Sequence, residues 1–149
     1  MTSKFEKTQG IKVRISNAPA TEANPLDAIY IEASCATKEI SFTGGQKTDI
    51  DTTVLCSEEQ EMENGLPAPA EMTISRNWAG TEDAQDALDT ANENNEKRAI
   101  QVIFPSGHGY SYLAEVRQSS WSAATNSVVG ASYTLRIKGK PVRIRPVAP

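Results

Sequence analysis

Few side chains in this sequence are of types that do chemistry, and their spacing gives them none to do. His108 is the single histidine and lies in the run Pro105-Ser106-Gly107-His108-Gly109. With no second histidine and no clustered cysteines, a zinc site lacks ligands. Cys35 and Cys56 are far apart and have no CxxC spacing, so they read as two reduced, structural thiols of a protein made in a cytoplasm. Asp49 and Asp51 are oxygen donors of the calcium type, but the stretch has neither the glycine nor the closing glutamate of an EF-hand loop. Glu58, Glu59, Glu61 and Glu63 supply carboxylates, yet nothing selects a pair for glycoside cleavage, and the run reads as solvated or contact-making. There is no nucleophile elbow, zinc-binding helix, phosphate loop or dinucleotide fingerprint. Trp78 and Trp121 read more readily as core or cap residues than as a sugar platform. The expectation is a protein that is not an enzyme and carries no cofactor.

The distribution of charge is more informative. Residues 49–96 hold thirteen acids against the single base Arg76, whereas residues 97–149 hold eight bases against the single acid Glu115. Two readings stay open. One is a solvated acidic helix beside a basic edge; the other is a head-to-tail contact between an acidic patch of one copy and a basic patch of the next. Nucleic-acid reading is disfavoured, because the basic stretch has no interleaved aromatics and the net charge is −4. No apolar run approaches the ~20 residues of a membrane span, and residues 1–7 lack the apolar region of a secretory signal.

The elements that position these residues are mostly short strands. Ile11, Val13 and Ile15 alternate with Lys12 and Arg14, and Ile29, Ile31, Ala33 and Cys35 alternate with Tyr30, Glu32 and Ser34, the period of half-buried strands. A third strand is expected over residues 71–78. Thr81 is the expected N-cap of a helix, with Glu82 and Asp83 at its positive end. Ala84, Ala87, Leu88 and Ala91 form one narrow apolar stripe suited to lying on a sheet. Ile100, Val102 and Phe104 lead through the Gly/Pro turn into Tyr110, Tyr112, Ala114 and Val116, a hairpin. Tyr133, Leu135 and Ile137 mark another strand, and Gly139-Lys140-Pro141 is expected to turn the chain into a last strand from Val142 to Val147. This predicts one mostly-β (α+β) domain over residues 1–149. Its architecture would be an antiparallel β-sandwich or partial barrel with one flanking helix.

Residues 44–70 do not fit that scheme. They have turn residues at both ends, no sustained period, and apolar anchors at Ile50, Val54, Leu55, Met62 and Leu66. A loop this long inside a compact domain is functional or disordered as a rule. The apolar anchors favour an extended arm that reaches into a neighbour.

The order of these parts resembles the tail tube (major tail) proteins of long-tailed bacteriophages. The resemblance rests on Glu39-Ile40-Ser41-Phe42, on Thr48 through Ser57, on Glu63-Asn64-Gly65-Leu66-Pro67 and on Met72-Thr73-Ile74-Ser75-Arg76-Asn77-Trp78. The acidic helix, the hairpin from Arg98 to Gly107 and Gly139-Lys140-Pro141 follow in the same order. It covers about residues 28–145 and has no single diagnostic motif.

The resemblance implies a structural virion protein with itself as main partner. Hexameric rings would stack helically into a tube through which DNA is ejected, inner sheets joining into a continuous barrel. Tail tip or baseplate proteins and a terminator would cap the tube, and a tape measure protein would fill it before ejection. The arm, with Thr48, Asp49, Ile50, Asp51, Val54, Leu55, Glu58, Glu59, Glu61, Glu63 and Leu66, would make the inter-subunit contact. Arg136, Lys138, Lys140, Arg143 and Arg145 would be the basic side of a ring-to-ring contact, with the arm glutamates opposite. A lumen that does not grip DNA favours acids over bases on its wall, so Glu32 and Glu115 are the lumen candidates; a register slip of one residue would reverse that choice. A contractile tail and a secretion tube remain equally compatible. The competing reading is a receptor- or carbohydrate-binding β-sandwich module, which would carry an exposed aromatic patch.

Overall fold

The alternation of Val13 and Ile15 with Lys12 and Arg14 places a strand where the sequence expects one. In the computed structural model, which describes residues 5, 7–25 and 28–146, β1 is Lys12–Ser16, with Val13 and Ile15 buried. The chain continues through β2 (Tyr30–Glu32), β3 (Thr37–Thr43), β4 (Lys47–Asp51), β5 (Met62–Pro67), β6 (Ala70–Asn77), α1 (Asp83–Asn94), β7 (Lys97–Ile103), β8 (Gly109–Ser122) and β9 (Gly130–Ile144). Seven strands form one antiparallel sheet in the order β2-β1-β7-β8-β9-β6-β3, and β4 and β5 form a separate hairpin.

Topology forces this sheet to roll. β2 and β3 occupy its opposite edges, about 29 Å apart if seven strands lay flat at ~4.8 Å spacing. Only residues 33–36 join them, a link of at most about 18 Å. The sheet therefore curls until its edges approach: the Val13 amide donates to Ser34 Oγ at 2.8 Å and the Asn77 amide to the Ala36 carbonyl at 2.7 Å. Across the roll the Phe42 and Tyr112 rings lie 4.8 Å apart although three strand steps separate β3 from β8. Among the described residues no strand pairing closes the roll, so the result is the expected mostly-β partial barrel, built from one open sheet.

Inward residues of β1, β6, β7, β8 and β9 form one core with Ala84, Ala87, Leu88 and Ala91 of α1, which rests on β8, β1 and β2. The apolar stripe thus packs as the periodicity requires. Buried polar groups tie the helix down. Gln85 donates to the Tyr133 hydroxyl, Tyr133 donates to Asp89 at 2.8 Å, and the wholly buried Arg76 pairs with Glu82.

Several expectations need correction. The N-cap is Glu82, whose side chain makes no capping bond, so Thr81 lies one position outside. The second strand is three residues long and Ile29 is 73% exposed, because residues 33–36 already turn between the sheet edges. Gly139-Lys140-Pro141 does not separate two strands. It forms an irregularity within β9, where pairing with β8 skips from Val142 to Lys138 and Gly139 adopts φ +72°. Val147, the expected end of that last strand, lies outside the described residues.

Candidate assembly surfaces

Residues 44–70 are an arm with structure of its own. Lys47 pairs with Pro67, Asp49 with Asn64, Ile50 with Glu63 and Asp51 with Met62. The period was hidden because acids and apolar side chains share both faces, and the hairpin has no core to enforce alternation. Its root requires glycine at position 45, where a Cβ would sit 1.5 Å from the Ala68 carbonyl oxygen. Thr48 Oγ1 reaches the Leu66 carbonyl at 3.5 Å. The tip is held by local polar bonds: the Thr53 amide donates to Asp51 at 2.9 Å, the Glu61 amide to Thr53 Oγ1 at 2.9 Å, and Ser57 Oγ to Glu61 at 2.8 Å. The Thr53 bonds hold the Asp51 carboxyl below its ordinary pKa. The apolar side chains stay unpacked, with Ile50 50%, Val54 62%, Leu66 83% and Leu55 107% exposed. Glu58, Glu59 and Glu63 are exposed and form no ion pair among the described residues.

The outward face of β3, β6, β9 and β8 is a second surface. Register aligns three cross-strand rows on it: Glu39–Ser75–Ser132–Ser120, then Ser41–Thr73–Thr134–Gln118, then Thr43–Glu71–Arg136–Glu115. Two rows are mainly hydroxyl and amide. In the third, Glu115 lies 3.1 Å from Lys138 and 3.9 Å from Arg136, while Arg117 pairs with Glu71. The expected lumen residue Glu115 and the expected contact bases Arg136 and Lys138 thus share one face, with both bases drawn to the one carboxylate. Glu32 lies elsewhere, on β2, paired with Arg14 at 3.3 Å. The outward side of β7 and the start of β8 is covered by residues 17–25, through Ala20 to the Lys97 carbonyl at 2.8 Å and Ser111 to the Ala23 carbonyl.

This four-stranded surface has two free edges. β3 ends the sheet. β7 pairs with β8 only as far as Glu115, so the second half of β8 has β9 on one side and, among the described residues, no strand on the other. Trp121 stands at that free edge, 72% exposed, on the inward face with Ala131. Neither tryptophan is a core residue, since Trp78 is also 48% exposed. A strand edge carries no signal in a single strand's pattern, so sequence reading missed both edges.

The two ends of the strands also differ. The arm joins at the Ala70 end of β6, where Gly44, Gly45, Lys47 and Pro67 to Ala70 share a groove with residues 136–141 of β9. Beyond it Lys140, Arg143 and Arg145 are exposed with no ion pair among the described residues. At the Asn77 end, the Trp78 amide bonds the Val129 carbonyl at 2.9 Å, and Val128 is 64% exposed. α1 starts at this end, where Glu82 pairs with Arg76, and runs back toward Lys97, the partner of Glu115; Asn92 bonds Ser119 at 3.3 Å on the way, and Asp83, Asp86 and Glu93 are exposed.

Among the described residues no three His, Cys, Asp or Glu side chains converge on a metal site. Cys35 and Cys56 are both free and exposed, contrary to the expected structural role. His108 lies in the β7–β8 turn, where the Phe104 amide bonds its carbonyl at 2.8 Å.

A family model described as phage tail tube, lambda-like, matches residues 4–112. Comparison with curated protein sequences gives no match. Solved structures share the fold at low identity. The tail tube of SPP1 superposes with a TM-score of 0.69 at 12% identity, covering 96% of this chain and 81% of that one. The tail of an empty gene transfer agent particle, refined helically with C6 symmetry, gives 0.65 at 12% identity, covering 93% and 98%. The sheath/tube terminator structure of an extracellular contractile injection system gives 0.68 at 9% identity, covering 96% and 99%.

Proposed function

We propose that this chain, which belongs to the lambda-like family of phage tail tube proteins, closes into six-membered rings by joining the free edge of β3 in one copy to the free half of β8 in the next. Membership makes it a structural virion protein of the tail, not an enzyme. The observation that carries the ring contact is the pair of free edges on one four-stranded surface. Strand directions alternate along β3-β6-β9-β8, so β3 runs opposite to β8. A neighbour's β3 set beside β8 continues the antiparallel order without a break, and the even number of strands lets the pattern repeat around a closed ring. The C6 symmetry of the gene transfer agent tail supports six copies.

Ring closure on these edges turns the polar rows toward the bore. Across the three rows and their ion pairs the acids Glu39, Glu71 and Glu115 balance the bases Arg117, Arg136 and Lys138, so the wall offers DNA no excess of bases to exchange for counterions. Glu115 is thus a wall residue; Glu32, on the far edge, is not. The rings stack into a conduit for DNA, occupied before ejection by a tape measure protein and closed by tip and terminator proteins. The arm, from Thr48 to Leu66, is the part that leaves its own subunit. Synthesis takes place in the host cytoplasm.

Single cysteines placed at Ser41 and Ser120, both on the outward face, in a Cys35→Ser, Cys56→Ser background, test the seam. With a short bifunctional thiol crosslinker, assembled protein carrying both should give a ladder that ends at six, and protein carrying either alone should not. Assembled tubes that fail to crosslink would show that these strands do not meet.

A further inference from the structure

We infer that the ring seam closes in a single register, residues 39–43 of one copy against residues 118–122 of the next, and that Trp121 seats in a cavity beside β3 of that neighbouring copy. This rests on the ring assembly proposed above and adds the register and the site that receives the tryptophan. The Asn77 amide donates to the Ala36 carbonyl at 2.7 Å, so outward residues of β6 bond toward β3, and Glu39, Ser41 and Thr43 bond back. Ile40 and Phe42 then aim their N–H and C=O groups at the open edge. The Trp78 amide bonds the Val129 carbonyl, so inward residues of β6 bond toward β9. Carried across β9 to β8, the same alternation leaves Ser119 and Trp121 with the free groups at the other edge.

Bulges bound both segments. β3 pairs regularly from Glu39 to Thr43, after its shift at Lys38, and β8 from Gln118 to Ser122, after its shift at Arg117. In antiparallel order, Ile40 opposite Trp121 puts Phe42 opposite Ser119, and all four residues exchange ladder bonds. A slip of two residues one way sets Phe42 against the bulge at Arg117; a slip the other way carries Ile40 past the end of β8. A slip of one residue turns outward side chains inward. Glu39 shares a row with Ser120 of its own subunit and here faces Ser122 of the next, so each row steps by two residues at a seam. A twisted sheet needs such a stagger to close into a barrel.

The register delivers Trp121 beside Ile40 on the inward side. A cavity of about 400 Å³ opens there between the edge of β3 and the start of β1, lined by Thr8, Gly10, Ile11, Val13 and Ile40. Its aliphatic wall suits an indole, and Trp121 is a large apolar side chain left uncovered by its own subunit. Knob and hole lie on opposite edges of one four-stranded surface, so each copy fills its neighbour and is filled in turn.

The test uses the full chain with Cys35→Ser and Cys56→Ser. Facing outward residues at this seam are non-hydrogen-bonded pairs, with Cα atoms about 4.5 Å apart. That is within disulfide reach, and a slip of two residues takes them beyond it. Glu39→Cys with Ser122→Cys, and Thr43→Cys with Gln118→Cys, should each give disulfide ladders in assembled protein treated with oxidised glutathione. Glu39→Cys with Ser120→Cys should give none. Linkage of that last pair in place of the first two overturns the register and leaves the seam standing. Absence of all three in tubes that the Ser41–Ser120 crosslinker does join overturns it as well, whereas failure of that crosslinker removes the seam itself. Thr8→Trp tests the cavity by placing an indole in it from the same subunit. Thr8 is exposed, so the monomer should melt as the wild type does, while ring closure should need on the order of tenfold more protein. Trp121→Ser added to that chain should cause little further loss, because both changes remove one contact. Wild-type closure by Thr8→Trp, or losses that simply add, would show that the indole seats elsewhere.

Discussion

Trp121→Ser isolates the ring seam from the fold. A tryptophan side chain offers about 150–250 Å², and Trp121 is 72% exposed, so roughly 150 Å² remains for a neighbour to cover. At ~25 cal/mol per Å² that burial contributes about 3–4 kcal/mol. Partial cover and ordering of the interface reduce the figure, and about 2 kcal/mol per seam is a fair expectation. A change of that size weakens each seam by about 30-fold. The fold should hardly notice. Position 121 contributes little to the core, and strand propensity at an exposed site spans about 1 kcal/mol, so the melting temperature should move by only a few degrees. The assay pairs thermal melting of the monomer with sizing of the assembled species. A Trp78→Phe companion makes Trp121 the only tryptophan, and its emission should shift to the blue as rings form. The seam reasoning fails if Trp121→Ser closes rings at the wild-type concentration, or if that emission stays unchanged through assembly.

Three further outcomes follow from the same geometry. Burial pushes the Tyr112 hydroxyl up to about 12, and burial with the Asp89 bond raises Tyr133 above its ordinary 10.0. Both folded values exceed the unfolded one, so this stability is complete below pH 10.0 and is lost as pH rises toward 12; base titration should show unfolding and tyrosinate absorbance rising together. Arg76→Ala should cost about 2–3 kcal/mol in denaturant unfolding, less than for a fully buried pair because Glu82 is 23% exposed. Arg76→Met should cost less, since it refills the volume and removes two buried nitrogens that lack hydrogen-bond partners. Ser132→Lys with Thr134→Lys should still assemble but slow DNA release at low salt, with release recovering as salt rises; unchanged release at low salt would mean that this face does not line the bore.

How far the sequence could be read depends on what each pattern reports. Period-two alternation found β1, β6, β7, β8 and the first part of β9, because each has one face in the core. The helix stripe was legible for the same reason, as Ala84, Ala87, Leu88 and Ala91 all face inward. β3 is mostly exposed and the arm strands are exposed along their length, so burial imposes no alternation on them and the signal fades. Apolar residues without a period nonetheless set residues 44–70 apart from the sheet, and the contact role proposed for the arm rests on those same exposed residues. Surfaces made by register could not be read at all. The three polar rows exist only once β3, β6, β9 and β8 are aligned, and Glu115 looked like a bare acid until Arg136 and Lys138 were placed beside it.

The free edges raise a question that the same strands answer. Unpaired strand edges invite indiscriminate pairing, and proteins that keep them usually blunt them with charge or bulges. Both edges here carry such devices. Pairing of β3 shifts between Thr37 and Glu39, leaving the exposed Lys38 and Glu39 at the start of the edge. Pairing of β8 shifts between Val116 and Gln118 at Arg117, where its free half begins. Each bulge bends and twists its strand, so a flat foreign strand meets it poorly. A second copy of this chain brings an edge with its own bulge, running in the opposite direction. In the proposed ring, the features that discourage aggregation would therefore also select the partner. Removing Lys38 to restore regular β3 pairing should stabilise the monomer edge and yet give irregular sheets or fibres beside rings. Clean, uniform rings from that deletion would show that the bulge does not guard the seam.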